Sequence, residues 1–445
     1  MYKNLKHYRH TIHLYLDAIW KIGKSNKKAR TVMYNWLSVQ MNLPKNKTHA
    51  SLFNREQCRK AIKILRTKYI ELYGHDLPYT KRRKQKVKIS TKLLQDMLAK
   101  AIKGAGNNKM IPITSLIGIE VRNGKLTLKT TDGNNHLYVS EKLDNETTQY
   151  DDFYSIVNAE MFAKLVGKTT SEFIEIENKE TCLEVTGNGK YKLEIPVNSD
   201  GEIITFPEFK VREDIQPQQL PLNNLKNILA TTKVAAAKTM EIPALTGYYI
   251  ADKAISTNRE MICLIENKLV AEPVLLSNNT AELIQLFAGE EIAFVKDENK
   301  LMFSTDNIIL YGKELEGKDI YPITPVENLA KSVYDNLAVV NKQDLLDVLD
   351  RMSLFVTDYD KNGVFLHFKT TGLEIQSQKS NAIEYIEIKS ENEIAEFSCL
   401  ADIEMLQSQV AAITSDIVNI YYGQTTSLKL KEGNTTMILS LMHKQ

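Results

Sequence analysis

One pattern returns three times along most of this chain, and it limits the fold more than any other feature. From residue 87 onward a helix with one polar face leads. A run of hairpins follows, then a short extended entry into a second helix, then closing strands. The first helices read at 90–103, 221–238 and 341–354, and the second at 157–168, 277–288 and 400–413. A period of about 120–130 residues is too long for a solenoid unit and is the size of a whole domain. In 90–103, Leu93, Leu94, Met97, Leu98 and Ile102 share one face, while Lys92, Gln95, Asp96, Ala99 and Lys103 share the other. Segment 117–129 alternates around Asn123-Gly124, the dipeptide that suits a type I′ hairpin. Segment 173–195 repeats the theme around Gly187-Asn188-Gly189. Strands are expected at 247–255, 260–266, 291–296 and 300–312, then at 363–377, 383–388, 417–422, 426–431 and 436–442. Antiparallel sheets with two helices per unit define an α+β class. The expected domains are 87–213, 214–332 and 333–445.

Residues 1–86 break from this pattern in charge and in structure. They hold 21 Lys and Arg against 4 Asp and Glu, whereas the other 359 residues hold 36 against 51. A net of +17 is thus joined to a net of −15, although the whole chain carries only +2. Such a split points to a polyanion, nucleic acid above all, as partner of the basic part. Apolar residues at helical spacing predict helices over 8–23, 26–42 and 55–73, so this is a small all-α domain. Leu43-Pro44 should end the second helix, and Asn54 should cap the third. The run Lys81-Arg82-Arg83-Lys84-Gln85-Lys86 reads as a solvated linker or a phosphate-contacting strap.

His7, His10 and His13 recur every three residues, but that step drifts around a helix of 3.6 residues per turn. They are expected to be surface histidines with no metal. Trp20, Arg30, Tyr34, Trp36, Leu37, His49 and Cys58 fall in the order of a stretch that resembles the helical half of a zinc-finger-containing domain common in phage genomes. The cysteines of that domain's ribbon are missing, so zinc does not carry over.

Enzyme readings find no footing. There is no GxxxxGK[ST], GxSxG, HExxH or DxDxDG. Asp132, Asp151 and Asp152 sit beside turns, where Asp serves the backbone. No catalytic residue and no cofactor are expected. The alternatives are a metal-dependent nuclease built on scattered carboxylates, or a DNA-binding regulator that uses the basic domain. Cys58, Cys182, Cys263 and Cys399 are scattered singly, which fits a reducing cytoplasm. No apolar run reaches the ~18 residues of a membrane span.

The segments IPITSLIGIEVRNGKLTLKTTDGNNHLYVSEKL (111–143), EIPVNSDGEIITFPEF (194–209) and LTGYYIADKAISTNREMICLIEN (245–267) carry a family resemblance. In order and spacing they resemble the bacterial DNA polymerase III beta subunit, the DNA sliding clamp, over about 88–444. The resemblance implies a head-to-tail homodimer whose six domains form a ring around duplex DNA, with helices on the inner wall and sheets outside. It implies a polymerase processivity factor, with the polymerase and the clamp loader as further partners. A protein that must slide cannot read bases, so topological closure replaces tight contact and phosphate contacts can be weak. The extra domain and an altered partner pocket favour a phage source.

Residue by residue, the resemblance implies three sites. A groove for short partner peptides would use Ser256, Asn258, Arg259, Met261, Pro322, Val326, Ile438, Leu441 and Met442. There Asn258 stands where the family has Gly, and is expected to tolerate positive φ. Glu260 replaces Arg, and Leu441 replaces Pro. The inner wall would offer Lys92, Lys103, Lys109, Lys164, Lys168, Lys226, Lys238 and Arg351 to DNA. The dimer seam would use Ile195 on one domain and Leu354 with Phe355 on another.

Overall fold

The computed structural model describes residues 5–20, 27–73, 85–143, 150–179, 182–197, 204–207, 209–357, 362–389 and 394–443. Three helices open it: α1 (Leu5–Trp20), α2 (Lys27–Met41) and α3 (Arg55–Tyr73). Their apolar stripes close on one core in which Ile12, Leu16, Leu37, Phe53, Ala61 and Leu65 are fully buried. Helix α1 starts three residues ahead of the expected Tyr8, and its expected end at 21–23 lies outside the described residues. Asn42 adopts φ 54° just past α2, and the Leu43 amide donates back to the Ser38 carbonyl at 3.0 Å. That left-handed cap, followed by Pro44, ends the helix. Asn54 and Gln57 cap α3 reciprocally: each side-chain oxygen accepts the other's amide at 2.9 Å.

From Gln85 the order βαββββαβββ runs three times. The first round is β1 (Gln85–Ser90), α4 (Thr91–Ala101), β2 (Leu116–Arg122), β3 (Lys125–Thr131), β4 (His136–Lys142), β5 (Phe153–Asn158), α5 (Ala159–Gly167), β6 (Phe173–Asn178), β7 (Cys182–Thr186) and β8 (Lys190–Glu194). The second is β9 (Gln218–Pro221), α6 (Leu222–Thr232), β10 (Tyr248–Ile250), β11 (Ala254–Thr257), β12 (Met261–Ile265), β13 (Val274–Leu276), α7 (Asn278–Ile284), β14 (Glu291–Asp297), β15 (Lys300–Ser304) and β16 (Ile308–Lys313). After the connecting helix α8 (Ile323–Lys331) the third is β17 (Asn336–Asn341), α9 (Lys342–Ser353), β18 (Gly363–Lys369), β19 (Gly372–Ser377), β20 (Ile383–Ile386), β21 (Phe397–Asp402), α10 (Ile403–Ala412), β22 (Ile417–Tyr422), β23 (Ser427–Glu432) and β24 (Thr435–Ser440).

The chain forms two compact units, residues 1–132 with 139–207, and residues 133–138 with 208–445. The first contains the four-stranded sheet β1-β6-β7-β8 and the strand run β5-β2-β3 with residues 139–142 of β4. The second contains the run β16-β15-β14-β9, the four-stranded sheet β20-β19-β18-β21, and an eight-stranded sheet β13-β10-β11-β12-β24-β23-β22-β17. In that last sheet the second and third rounds meet edge to edge. Met261 lies opposite Leu439 and Ile262 opposite Ile438.

Helix starts follow local chemistry. Asn158, Ser277, Asn341 and Asp402 each accept an amide from the first turn of α5, α7, α9 and α10 with their side chains. The Asn123-Gly124 turn has φ 51° and 71°, as a type I′ hairpin requires.

Several expectations are corrected. Helix α6 stops at Thr232 and a 3-10 turn, because Ala236 turns extended and the Ala237 amide pairs with the Leu245 carbonyl at 2.8 Å. Tertiary pairing there overrides the helix propensity of an alanine run. Segment 247–255 is two strands around a tight turn at Ala251–Lys253, and 300–312 is broken at Thr305. Gln85 and Lys86 belong to β1 rather than to a linker, with Lys86 opposite Glu177; residues 81–84 lie outside the described ones. Among the described residues no helix is long and apolar enough to cross a membrane.

Candidate functional site

The expected groove residues fall in the second compact unit, on the hairpin β11–β12, helix α8 and strand β24 with its tail. Strand alternation sorts them by face. Ile255, Ile262, Leu264 and Ile438 point to one side and pack with Tyr321 and Val326 in a single apolar cluster under α8. Ser256 and Met261 point to the other. The Ser256 hydroxyl donates to the Thr232 carbonyl on α6, and Met261 sulfur lies 3.8 Å from the Ser408 hydroxyl on α10. A shift of one residue flips a strand's faces, so the hairpin presents Ile262 where the motif pointed to Met261. Ile262 and half-buried Ile323 are members that the sequence motifs did not single out.

The hairpin loop is built by side-chain acceptors. Asn258 Oδ1 accepts from the amides of Glu260 (3.0 Å) and Met261 (2.6 Å), and Thr257 Oγ1 accepts from the Arg259 amide at 3.1 Å. The left-handed residue is Arg259, at φ 83°, and not Asn258 as expected. Asn258 spends its side chain on the turn, and the reversal passes to its neighbour. A non-glycine residue there costs about 1–2 kcal/mol.

Helix α8 is tied down at both ends. Pro322, half-buried, precedes its first turn. Lys253 Nζ reaches Glu327 at 2.5 Å, and that carboxylate holds the Lys253 ammonium above its usual range. At the far end Lys429 Nζ donates to the carbonyls of Ala330 (3.0 Å) and Ser332 (2.6 Å), the position where a helix terminus favours a cation. The Tyr321 hydroxyl donates toward the carbonyls of Ile255 and Gly247, and burial pushes its pKa up. Ile320, Leu329 and Val333 remain exposed around α8. Half-buried Leu441 and Met442 follow β24; their amides donate to Thr426 and Leu400 carbonyls at 2.9 and 2.8 Å.

The expected DNA-facing cations differ in their engagements. Lys92, Lys103, Lys109, Lys168 and Lys238 are exposed. Lys164 pairs with Glu160 one turn away. Lys226 Nζ donates to the Phe287 carbonyl at 2.6 Å. Arg351 forms a two-pronged pair with Glu384 of β20. Around it α9 exposes Asp344, Asp347 and Asp350. Of the expected seam residues, Leu354 is 80% exposed and Phe355 43%, while Ile195 is buried.

In the N-terminal domain the residues present do not fit a zinc ribbon. Cys58 is its only cysteine. Its buried thiol points to the Phe53 carbonyl at 3.9 Å, and burial raises its pKa away from the thiolate that binds zinc. The His49 ring stacks on Tyr34 at 4.8 Å and bonds the Ser51 hydroxyl at 2.7 Å. Exposed His10 and His13 lie on α1; nothing is described of the His7 side chain.

Comparison with known proteins places these parts. Residues 85–207 match the family described as DNA polymerase III beta subunit, N-terminal domain, and residues 2–68 match one described as a zinc-finger-containing domain. The chain is 24% identical over 376 residues to the beta sliding clamp of Rickettsia bellii, covering 77% of this chain and 94% of that one. It is 23% identical over 302 residues to the beta sliding clamp of Bacillus subtilis, covering 64% and 78%. The crystal structure of the Bacillus subtilis DNA polymerase sliding clamp superposes with a TM-score of 0.72 at 18% identity, over 81% of this chain and all of that one. The beta chain of DNA polymerase III from Streptococcus pneumoniae gives 0.73 at 18%, with the same coverage. Behind a region that matches a zinc-finger-containing domain, the chain has the sliding-clamp fold, and its residues 85–207 match the N-terminal domain of the DNA polymerase III beta subunit.

Proposed function

We propose that this protein is a DNA sliding clamp, a polymerase processivity factor that encircles duplex DNA as a ring-shaped homodimer of three-domain chains. The observation that carries the reading is the edge-to-edge joint β12–β24, together with the two four-stranded sheets β1-β6-β7-β8 and β20-β19-β18-β21. By the threefold repeat, β20 is the counterpart of β12, and β8 is the counterpart of β24. A second copy would complete both short sheets through the same joint, β20 of one copy against β8 of the next. An edge strand left open invites pairing. Exposed Tyr191 on β8, exposed Ile383 and Tyr385 on β20, and Leu354 and Phe355 at the end of α9 supply the apolar area.

The partner groove fits the apolar cluster under α8. Half-buried Ile323 packs on that cluster, exposed Ile320 and Leu329 neighbour its members along the chain, and the resemblance sets Leu441, Met442 and the Arg259 loop at its border. A short apolar peptide of a polymerase or of the clamp loader matches that chemistry. The clamp reading assigns no catalytic residue and no cofactor. Loader-dependent retention on nicked circular DNA, with release when the circle is cut, tests it. Equal retention on circles and linear duplex, or a chain that stays monomeric at every concentration, would overturn it.

A further inference from the structure

Apart from exposed Lys92 on α4, Lys103 just after it and Lys168 at the end of α5, the clamp helices chiefly present cations that are already engaged, or carboxylates. Helix α9 exposes Asp344, Asp347 and Asp350, and its Arg351 is held by Glu384. Helix α10 exposes Glu404. On α5 and α6, Lys164 and Lys226 are engaged by Glu160 and by the Phe287 carbonyl.

The N-terminal domain is the reverse. Helix α3 buries Cys58, Ala61, Leu65 and Tyr69 and exposes Arg59, Lys63 and Arg66. At 100° per residue these three fall within an arc of about 60°, and at 1.5 Å per residue they span about 10 Å of the axis. Arg59 is oriented: its guanidinium stands 5.7 Å over the Tyr8 ring, and its Nε donates to the Tyr8 hydroxyl at 3.4 Å. Exposed Lys45 and Lys47 follow α2, where Lys60 Nζ reaches the Met41 carbonyl at 3.4 Å. Among the described residues before β1 the carboxylates are Asp17, Glu56 and Glu71, and Glu71 lies 3.4 Å from Lys68.

We infer that the Arg59–Lys63–Arg66 face of α3 binds the phosphate backbone of duplex DNA, and that this domain supplies a stronger electrostatic hold on DNA than the clamp helices do. The inference rests on the clamp reading for its use in the cell. Duplex DNA is the occupant that the charge favours. A straight row of cations on a rigid helix complements regularly spaced phosphates, and their counterions are released on contact. No base-reading group is needed, so the hold is compatible with sliding. The alternative occupant is an acidic protein surface, including the −15 remainder of this chain.

The test uses the full chain and a short linear duplex, on which a ring cannot be retained. Affinity is measured against salt for the parent and for the Arg59→Gln, Lys63→Gln, Arg66→Gln triple variant, with helix content and melting as folding controls. Three lost phosphate contacts should flatten the slope of log K on log salt by about 2.7. At low salt the affinity should fall at least tenfold. Lys92→Gln with Lys103→Gln should change the slope less than the triple variant does. An unchanged slope in the triple variant, or no duplex binding by the parent at 50 mM salt, overturns the inference. Retention of the same variant on nicked circles reports the clamp reading separately. Failure there with the parent's slope present would remove the clamp and leave the face.

Discussion

Arg351 and Glu384 grip each other across 33 residues of sequence: Nε lies 2.9 Å from Oε1 and Nη2 2.5 Å from Oε2. The pair fixes the end of α9, with exposed Leu354 and Phe355, against the edge strand β20. It also raises the Arg351 pKa and lowers that of Glu384, each chiefly through the hydrogen bonds between them and then through the other's charge. We propose on this ground that Arg351 serves the seam in place of the DNA-facing wall. Arg351→Gln should raise the dimer dissociation constant at least tenfold by sedimentation, and Glu384→Gln should do the same. The double variant should add little, because both remove one interaction. The salt slope of DNA binding should stay as in the parent. A lower slope with an intact dimer would return Arg351 to the DNA-facing wall.

The seam reading also concerns the strand itself. Tyr385 is 66% exposed on β20 and Ile383 45%. Replacing both by Asp places charges on an edge that should be covered, a device that proteins use to keep edges unpaired. Light scattering should then give the monomer mass at concentrations where the parent is a dimer. Far-UV circular dichroism should stay unchanged, because neither side chain supports the chain's own core.

The groove's register makes a further prediction. Ile323 packs on the cluster under α8, whereas Met261 lies on the opposite face of the sheet beside Ser408. Ile323→Asp should weaken an apolar partner peptide at least tenfold in fluorescence polarisation with little change in melting. Met261→Ala should cost about 2–3 kcal/mol of stability, as buried methionines do, and leave peptide affinity within twofold. The opposite outcome would put Met261 in the groove.

These sites mark how far the sequence could be read. The three repeats, both helices of each and the Asn123-Gly124 hairpin were legible because their signals are local: periodicity, caps and a turn dipeptide. Helix α8 was not, since Pro322 and Pro325 interrupt the usual helical cues at its start. Strand β13, at three residues, is too short to alternate visibly. The faces of β12 were not legible, because a motif match fixes position along a strand while pairing in the hairpin fixes that Ile262 faces the cluster under α8 and Met261 faces Ser408. The engagements of Lys226 and Arg351 were invisible for a simpler reason. Their acceptors, at Phe287 and Glu384, are 61 and 33 residues away.

The N-terminal domain should depend measurably on one cap. Asn54 and Gln57 satisfy two amides at the start of α3 that would otherwise lack helical acceptors. Asn54→Ala should cost about 1 kcal/mol. It should appear as faster amide exchange in the first turn of α3, with the clamp strands unaffected. Asn54→Ser should recover most of the loss, since a hydroxyl can accept the same amide.

Acid stability should carry the mark of Glu184. Its carboxylate on β7 is nearly covered and receives Lys190 at 2.6 Å and Lys179 at 2.9 Å. Those two ammonium groups hold its pKa down to about 2, against an ordinary value of about 4.3 in an unfolded chain. Below about pH 4.3 the unfolded chain binds a proton that the folded one still refuses, so protonation favours unfolding. The stabilisation is complete above that value and is lost as pH falls toward about 2. Denaturant melts of the parent should thus weaken across this window. Glu184→Gln should be less stable at neutral pH and should show a shallower decline in acid. Lys190→Met should raise the midpoint of the Glu184 titration, read by carboxyl carbon NMR. An unshifted midpoint would mean that Lys179 alone sets it, and β8 would then be held to β7 by its backbone without help from this pair.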